Sequence, residues 1–359
     1  GPNVTIVGNV GDDLEVLGLS VSPDLDSIVY ALAGLNDEER GWGREGETWE
    51  ALATVSALGG EDWFRLGDRD LGLHLVRTQA LRAGEPLSAV TARIARALGV
   101  ETSILPATDD RLRTWIDTPA GSFAFQEWFV ARGHRDEVDA VRFVGEASPA
   151  PAVLEAIDAA DAILIAPSNP YVSIWPILAV PAIRAALEAR RVPSIAVSPL
   201  VGGRAVKGPA DRMLARMAGG TTPEHVAGCY AGLIDALVVD EADEAGELSV
   251  RPVVTSTLMT DLAASRRLAE TALEAAVESA ARLFQNARAE SIEVLFASRD
   301  LRDARLVYID TKREQLSALV KAYQALGGGA LLSASLQEPP LPDRRASVFH
   351  RLWHFKSHD

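Results

Sequence analysis

The sequence is poor in several things, and each shortage removes a class of function. One of its 359 residues is cysteine, Cys229, so neither a disulfide framework nor a thiolate metal cluster can be built. Positive charge is short: 35 lysines and arginines face 50 aspartates and glutamates, a formal net charge of -15. That balance argues against nucleic acid as a main partner, because phosphate backbones demand concentrated Lys and Arg. No apolar run approaches about 18 residues, so no membrane-spanning helix is expected. The N-terminus lacks a basic region ahead of a long apolar stretch, and the reading expects a cytoplasmic protein. From Ser265 to Leu326 there is neither proline nor glycine, which predicts a very long helical or two-helix segment.

What the chain does have is a soluble globular composition, 48% apolar and 24% charged, and enough length for one large or two ordinary domains. Near its start, five carboxylates fall between Asp12 and Asp26, four of them in the pairs Asp12/Asp13 and Asp24/Asp26. "NVTIVGNVGDD" reads as a strand ending in a tight Gly-Asp-Asp turn. "SPDLDSIVYALAG" then opens a helix, with Ser22 placed to cap it, Pro23 in its first turn, and Asp24 and Asp26 at the positive end of its dipole. The carboxylates are either an acidic surface feature with helix capping or the holders of a shared cation.

"DWFRLGDRDLGLHLVRTQALRAG" predicts a helix with apolar positions at Leu71, Leu75 and Leu81, and "PLSAVTARIARALGV" another from about Leu87 to Leu98. "SFAFQEWFV" alternates like a strand, and "DAVRFVG" follows with a second. Three helix-strand units come next: "VLEAIDAADAILIAPSNP" with a strand from Ala162 to Ala166, "IRAALEARRVPSIAVSPLVGG" with one from Ser194 to Val197, and "HVAGCYAGLIDALVVDEAD". Buried strands alternating with helices predict an α/β fold: a mainly parallel, Rossmann-like sheet with helices on both faces, a smaller helical insertion, and a long C-terminal helical segment. Ligands in such sheets sit beyond the carboxyl ends of the strands, where "NVGDD", "APSNP" and "SPLVGGRAVKGP" fall.

Taken together and in order, "NVGDD", "SPDLD", "YALAGLNDEERGWG", "WFRLGDRDLGLHLVRTQALRAG", "FQEWFV", "APSNPYVSIWPIL" and "SPLVGGRAVKGPADRML" resemble the 2-phospho-L-lactate transferases of coenzyme F-420 biosynthesis, from about Val4 to Asp261. The resemblance implies a Mg2+-dependent reaction. A guanosine diphosphate carrying lactate or enolpyruvate gives its phospho-acid group to the ribityl hydroxyl of Fo, a deazaflavin, and GMP leaves. It also implies a homodimer, and Asp26 and Arg65 as Fo contacts. Since Mg2+ takes oxygen ligands, one or two of them carboxylates, Asp12 is the leading metal ligand, and Asp13 is an alternate ligand or stands just behind it. An alcohol must lose its proton to attack phosphorus, so one carboxylate should face it; Asp12 and Asp26 are the catalytic candidates, and Asp24 could assist either. Ser168, Asn169, Gly202, Gly203, Arg204 and Lys207 are the nucleotide- and phosphate-binding candidates, the glycines by letting backbone N–H groups approach phosphate. Asp68, Arg69 and Asp70 read as salt-bridged scaffolding, His74 as a polar helix residue, and Trp42 and Trp49 as packing that could flank the deazaflavin.

The sequence departs from the family pattern in three places. A strand and Gly-rich loop of the type GGxGGAK, expected to cradle donor phosphates, is not in the chain as given. Trp175 stands where the family has glycine, and an indole there could stack on a ring or fill the pocket. Leu283 to Gly329 resembles instead the last long helix of TolC-type outer-membrane efflux factors, with Ile292, Leu295, Leu306, Ile309 and Leu316 recurring in a coiled-coil-like stripe. The domains expected are therefore 1–262, transferase-like; 263–329, helical; and 330–359, a Pro-rich and basic-aromatic tail. The helical segment is expected to cover an apolar face of the sheet. The alternative reading is a transferase fold that binds Fo but has lost turnover, or that acts through its helical arm.

Overall fold

The computed structural model describes residues 4–37 and 40–288. Strand β1 (Thr5–Gly8) leads into the hairpin β2 (Leu14–Val16) and β3 (Leu19–Val21). Helix α1 (Pro23–Ala33) follows, burying Leu25, Ile28, Val29 and Leu32 at the helical spacing of one face. Ser22 stands at its N-cap position, but its hydroxyl makes no bond to the helix; it donates to Asp13 Oδ2 at 2.8 Å. Helices α2 (Glu50–Ala57), α3 (Asp68–Arg82) and α4 (Leu87–Ala97) form the helical insertion. Strand β4 (Ser103–Pro106) returns parallel to β1.

An antiparallel sheet comes next, β5 (Arg113–Thr118), β6 (Gly121–Ala124) and β7 (Ala140–Val144) in the order β6-β5-β7. The strand read in "SFAFQEWFV" stops at Ala124; residues Glu127–Ala131 are a π-helical turn. Alternation and helical spacing coincide here, because Phe125, Trp128 and Phe129 also satisfy an i, i+3, i+4 pattern. Packing decides: Phe125 stacks on Phe129 with centroids 5.2 Å apart, whereas a strand would set residues four apart about 13 Å from each other along one face.

The three helix-strand units form as expected. Helix α5 (Val153–Asp158) precedes β8 (Ile163–Ile165); a π-helical turn (Pro170–Ile174), α6 (Trp175–Leu178) and α7 (Pro181–Glu188) precede β9 (Ser194–Val197). The short hairpin β10 (Leu200–Val201) and β11 (Arg204–Ala205), then α8 (Ala210–Met217) and α9 (Pro223–Gly228), lead to β12 (Ala236–Val239) and β13 (Arg251–Val254). Four of these strands run parallel in the order β13-β12-β9-β8. β9 and β12 are buried along their whole length. Ala196, Leu237 and Val239 join the main core with Ile183, Leu187 and Val226 of α7 and α9.

The opposite side of those strands, Ile195, Val197, Ala236 and Val238, packs on helix α10 (Leu262–Arg288) through Leu268, Ala269, Ala272, Leu273 and Ala276. The small residues let helix and sheet approach closely, and Arg251 clamps the edge by donating to Ala275 O and Glu278 Oε2, each at 2.8 Å. The first half of the long helix is thus sheet core. Most of the segment that resembles an efflux-factor helix lies outside the described residues.

Candidate active site

The carboxyl ends of β1, β8, β9 and β13 open on one cavity of about 650 Å³. Seven of the residues given a catalytic, substrate, nucleotide or metal role in the sequence line it: Asp12, Asp24, Asp26, Arg65, Ser168, Asn169 and Lys207. Four do not. Asp13 is turned away, held by Ser22. Gly202 and Gly203, with φ of 59° and 72°, form the turn of the β10–β11 hairpin, and Arg204 is an exposed residue of that hairpin. The Gly203 N–H donates to Asp243 Oδ1 at 2.7 Å, so an internal carboxylate already holds the group read as a phosphate cradle. The Gly-Gly pair signals a tight hairpin as strongly as a phosphate nest, and hairpin geometry prevails.

The acidic cluster is built by the turn after β1. Asn9 Oδ1 accepts from Gly11 N at 2.7 Å, folding the chain back, and its Nδ2 donates to Asp24 Oδ2 at 2.8 Å and to Val172 O at 3.2 Å. A side chain at Gly11 would run into Thr114 and Pro176, so only glycine lets the turn seat this deeply. The carboxylates of Asp12 and Asp24 therefore both reach the cavity. Burial, then the charge of Asp24, raises the pKa of Asp12 well above the usual carboxylate range. Burial raises Asp24 to about 6, against the pull of the Asn9 amide. Asp12 Oδ1 is buried and has no hydrogen-bond partner among the described residues. Asp13 is raised to about 7 by burial, partly offset by Arg113 and Ser22.

Asp26 is different. Both its oxygens accept from Arg77, Oδ2 from Nη1 at 2.9 Å and Oδ1 from Nη2, in a buried bidentate pair. Arg77 comes from α3, a helix turned inside out. Its buried face carries Asp70, His74, Arg77 and Thr78, while Leu75 is 57% exposed and Val76 49%. The expected apolar stripe through Leu75 is not the inner face. The signal that would have found the true one is four polar residues at i, i+4, i+7 and i+8. Tyr30 completes the tie by donating to Asp70 Oδ1 at 2.7 Å.

Aromatic groups wall the cavity on two sides. Arg65 lies over the Trp49 ring at 5.0 Å, Arg40 over Trp49 and Trp42 at 5.0 and 5.4 Å, and Trp63 and Phe64 adjoin. Opposite elements contribute Phe125, Phe129 and His134, the last two stacked at 5.0 Å. Lys207 donates to Gly41 O at 2.9 Å, tying the Trp42 loop to the segment after β11. Asn169 is partly committed, its Oδ1 capping the π-helical turn at Tyr171 N. Trp175 lies off the cavity: its Nε1 donates to Cys229 O at 3.1 Å and its ring meets Tyr171 edge-on. Ser198 and Pro199 after β9, and Thr257 to Met259 after β13, also line the cavity; the rule that located "APSNP" locates them, but their composition carries no ligand signal.

Known proteins share this sequence pattern. A sequence model of the family described as 2-phospho-L-lactate transferase CofD matches residues 1–276. Proteins named phosphoenolpyruvate transferase are similar along most of their length. That of Streptomyces griseus is 43% identical over 289 residues, 77% of this chain and 91% of the relative. That of Kitasatospora aureofaciens is 44% identical over 283 residues, 75% and 88%. That of Mycolicibacterium smegmatis is 39% identical over 287 residues, 76% and 88%. Among solved structures, a UPF0052-family protein from Bacillus halodurans superposes at TM-score 0.41 with 14% identity, covering 72% of this chain and 93% of that one.

Proposed function

The chain belongs to the 2-phospho-L-lactate transferase CofD family, and from that premise we propose that it transfers a phospholactyl or phosphoenolpyruvyl group from a guanosine diphosphate donor to the ribityl hydroxyl of Fo in coenzyme F-420 biosynthesis. The hydroxyl oxygen forms a bond to the phosphorus bearing the three-carbon acid, the bond from that phosphorus to the GMP phosphate breaks, and GMP departs.

The observation that carries this reading is the Asp12–Asp24 pair: a buried and a half-buried carboxylate on one cavity, the buried one with an oxygen that nothing in the described protein satisfies. The arrangement fits Mg2+. The donors are hard oxygens, the local charge is negative, and the cost of burying it falls once a cation is present. No three His, Cys, Asp or Glu side chains among the described residues form a metal site of their own, which suits an ion that takes its other ligands from water and phosphate. Asp12 would hold it, and the ion would neutralise the diphosphate charge that otherwise repels an attacking alcohol. Asp24, with a pKa of about 6 and Asn9 on only one of its oxygens, is suited to take the hydroxyl proton near neutral pH. Asp26, with both oxygens on Arg77, shapes the acceptor end, where Arg65 meets the Fo ring system.

Turnover tests the reading. Purified protein given Fo, Mg2+ and the diphospho-acid donor should yield the phosphodiester and GMP by mass spectrometry. Asp12→Ala should lower kcat by about 100-fold or more, the scale of losing a principal electrostatic group. A variant that turns over like the wild type would remove Asp12 from the chemistry.

A further inference from the structure

Helix α3 hides polar residues and exposes leucine and valine, the reverse of what burial alone would select. Nearly every polar group it hides has a partner. Asp70 accepts from Tyr30, Arg77 holds Asp26, and Thr78 accepts from Ser20 N at 2.8 Å and donates to His74 O at 2.6 Å. His74 is 3% exposed, lines the cavity, and has one ring nitrogen engaged: Nδ1, 3.2 Å from Arg77 Nη1.

That contact fixes the chemistry of the ring. A guanidinium only donates, so Nδ1 presents its lone pair and the ring hydrogen sits on Nε2. Nε2 has no partner among the described residues. Burial first, with the Arg77 charge adding to it against the pull of Asp26, lowers the pKa of His74 to about 4, so the ring is neutral at working pH. The result is an uncharged, rigidly held N–H donor in a cavity wall, beside Tyr30, Asp26 and Asp70 and on elements other than those carrying Ser168 and Lys207.

We propose that His74 is a substrate-recognition residue that donates its Nε2–H to an uncharged oxygen, a hydroxyl or ring carbonyl, of the acceptor Fo. A neutral N–H is a poor choice for a diphosphate, which favours Arg and Lys, and it cannot serve a cation. Arg77 is then a positioning residue that sets the tautomer, and Asp26 holds Arg77 in place. The assignment rests on the functional reading above.

Fo fluorescence titrations of the full chain test it, with Mg2+-GDP titrated separately. His74→Leu should weaken Fo about tenfold, the worth of one hydrogen bond made in a desolvated wall, and leave GDP unchanged. His74→Gln, which keeps an N–H donor near Nε2, should stay within about threefold of wild type. In 15N-histidine-labelled protein the His74 Nε2 resonance, assigned through His74→Gln, should move on saturation with Fo. His74→Leu binding Fo as the wild type does, losing Fo and GDP alike, or a resonance that Fo leaves in place would overturn the proposal. Wild-type protein that binds no Fo at all would remove the functional reading and this assignment together.

Discussion

The four paired aspartates between Asp12 and Asp26 are chemically unlike one another. Asp12 and Asp13 each have one buried oxygen without a partner among the described residues, but Asp13 is tied to Ser22 through the other, Asp24 rests on Asn9, and Asp26 is locked to Arg77. The distinction matters for mutagenesis. Removing Asp26 strands a buried guanidinium, a change that typically costs about 3–5 kcal/mol. Asp26→Ala should therefore lower stability by that order in denaturant unfolding, while Asp26→Leu with Arg77→Met should restore most of it, because the pair is replaced by apolar volume. A fully stable Asp26→Ala protein would contradict the buried pair. Lost turnover in Asp26→Ala alone says nothing about catalysis until stability is matched.

At the scale of elements, β1, α1, α4 and the three helix-strand units were legible because one period dominates each. Val4, Ile6 and Val7 supply β-branched bulk ahead of a glycine turn, Leu25, Ile28, Val29 and Leu32 recur helically, and Ser194–Val197 is a short apolar run between turns. Where two readings shared the same letters, only tertiary packing separated them: Phe125 to Phe129 became a π-helical turn, and Gly202-Gly203 a hairpin. The inner face of α3 was hidden because it inverts the usual rule that polar residues face water. Asp12, Asp26 and Arg65 could be placed at the cavity from motif resemblance, whereas the union of Asp24 with Asp12 depends on the turn that Asn9 and Gly11 make. Helix α10 carries a prediction of its own. Leu268, Ala269, Ala272 and Leu273 cover Ile195, Val197 and Val238, so ending the chain at Asp261 strips one face from the central strands. Such a protein should bind a hydrophobic dye and lose its cooperative melt. A truncated chain melting at the full-length temperature would show that α10 is dispensable.

For the whole molecule, the sheets and the insertion converge on one cavity with two characters. Asp26, His74 and Arg65 line it among aromatic rings, Ser168, Lys207 and the strand ends line it as well, and the Asp12–Asp24 pair opens onto the same space. A chain of net charge -15 repels an anionic donor at long range, so under the proposed function much of the donor affinity comes from a cation held at Asp12. The most direct measurement is GDP binding by calorimetry with Mg2+ present and with Mg2+ chelated, in the wild type and in Asp12→Ala. The account predicts binding that needs Mg2+ and is weakened at least tenfold in Asp12→Ala, with Fo affinity retained in both proteins. GDP binding that is equally tight without Mg2+, or untouched by Asp12→Ala, would contradict it.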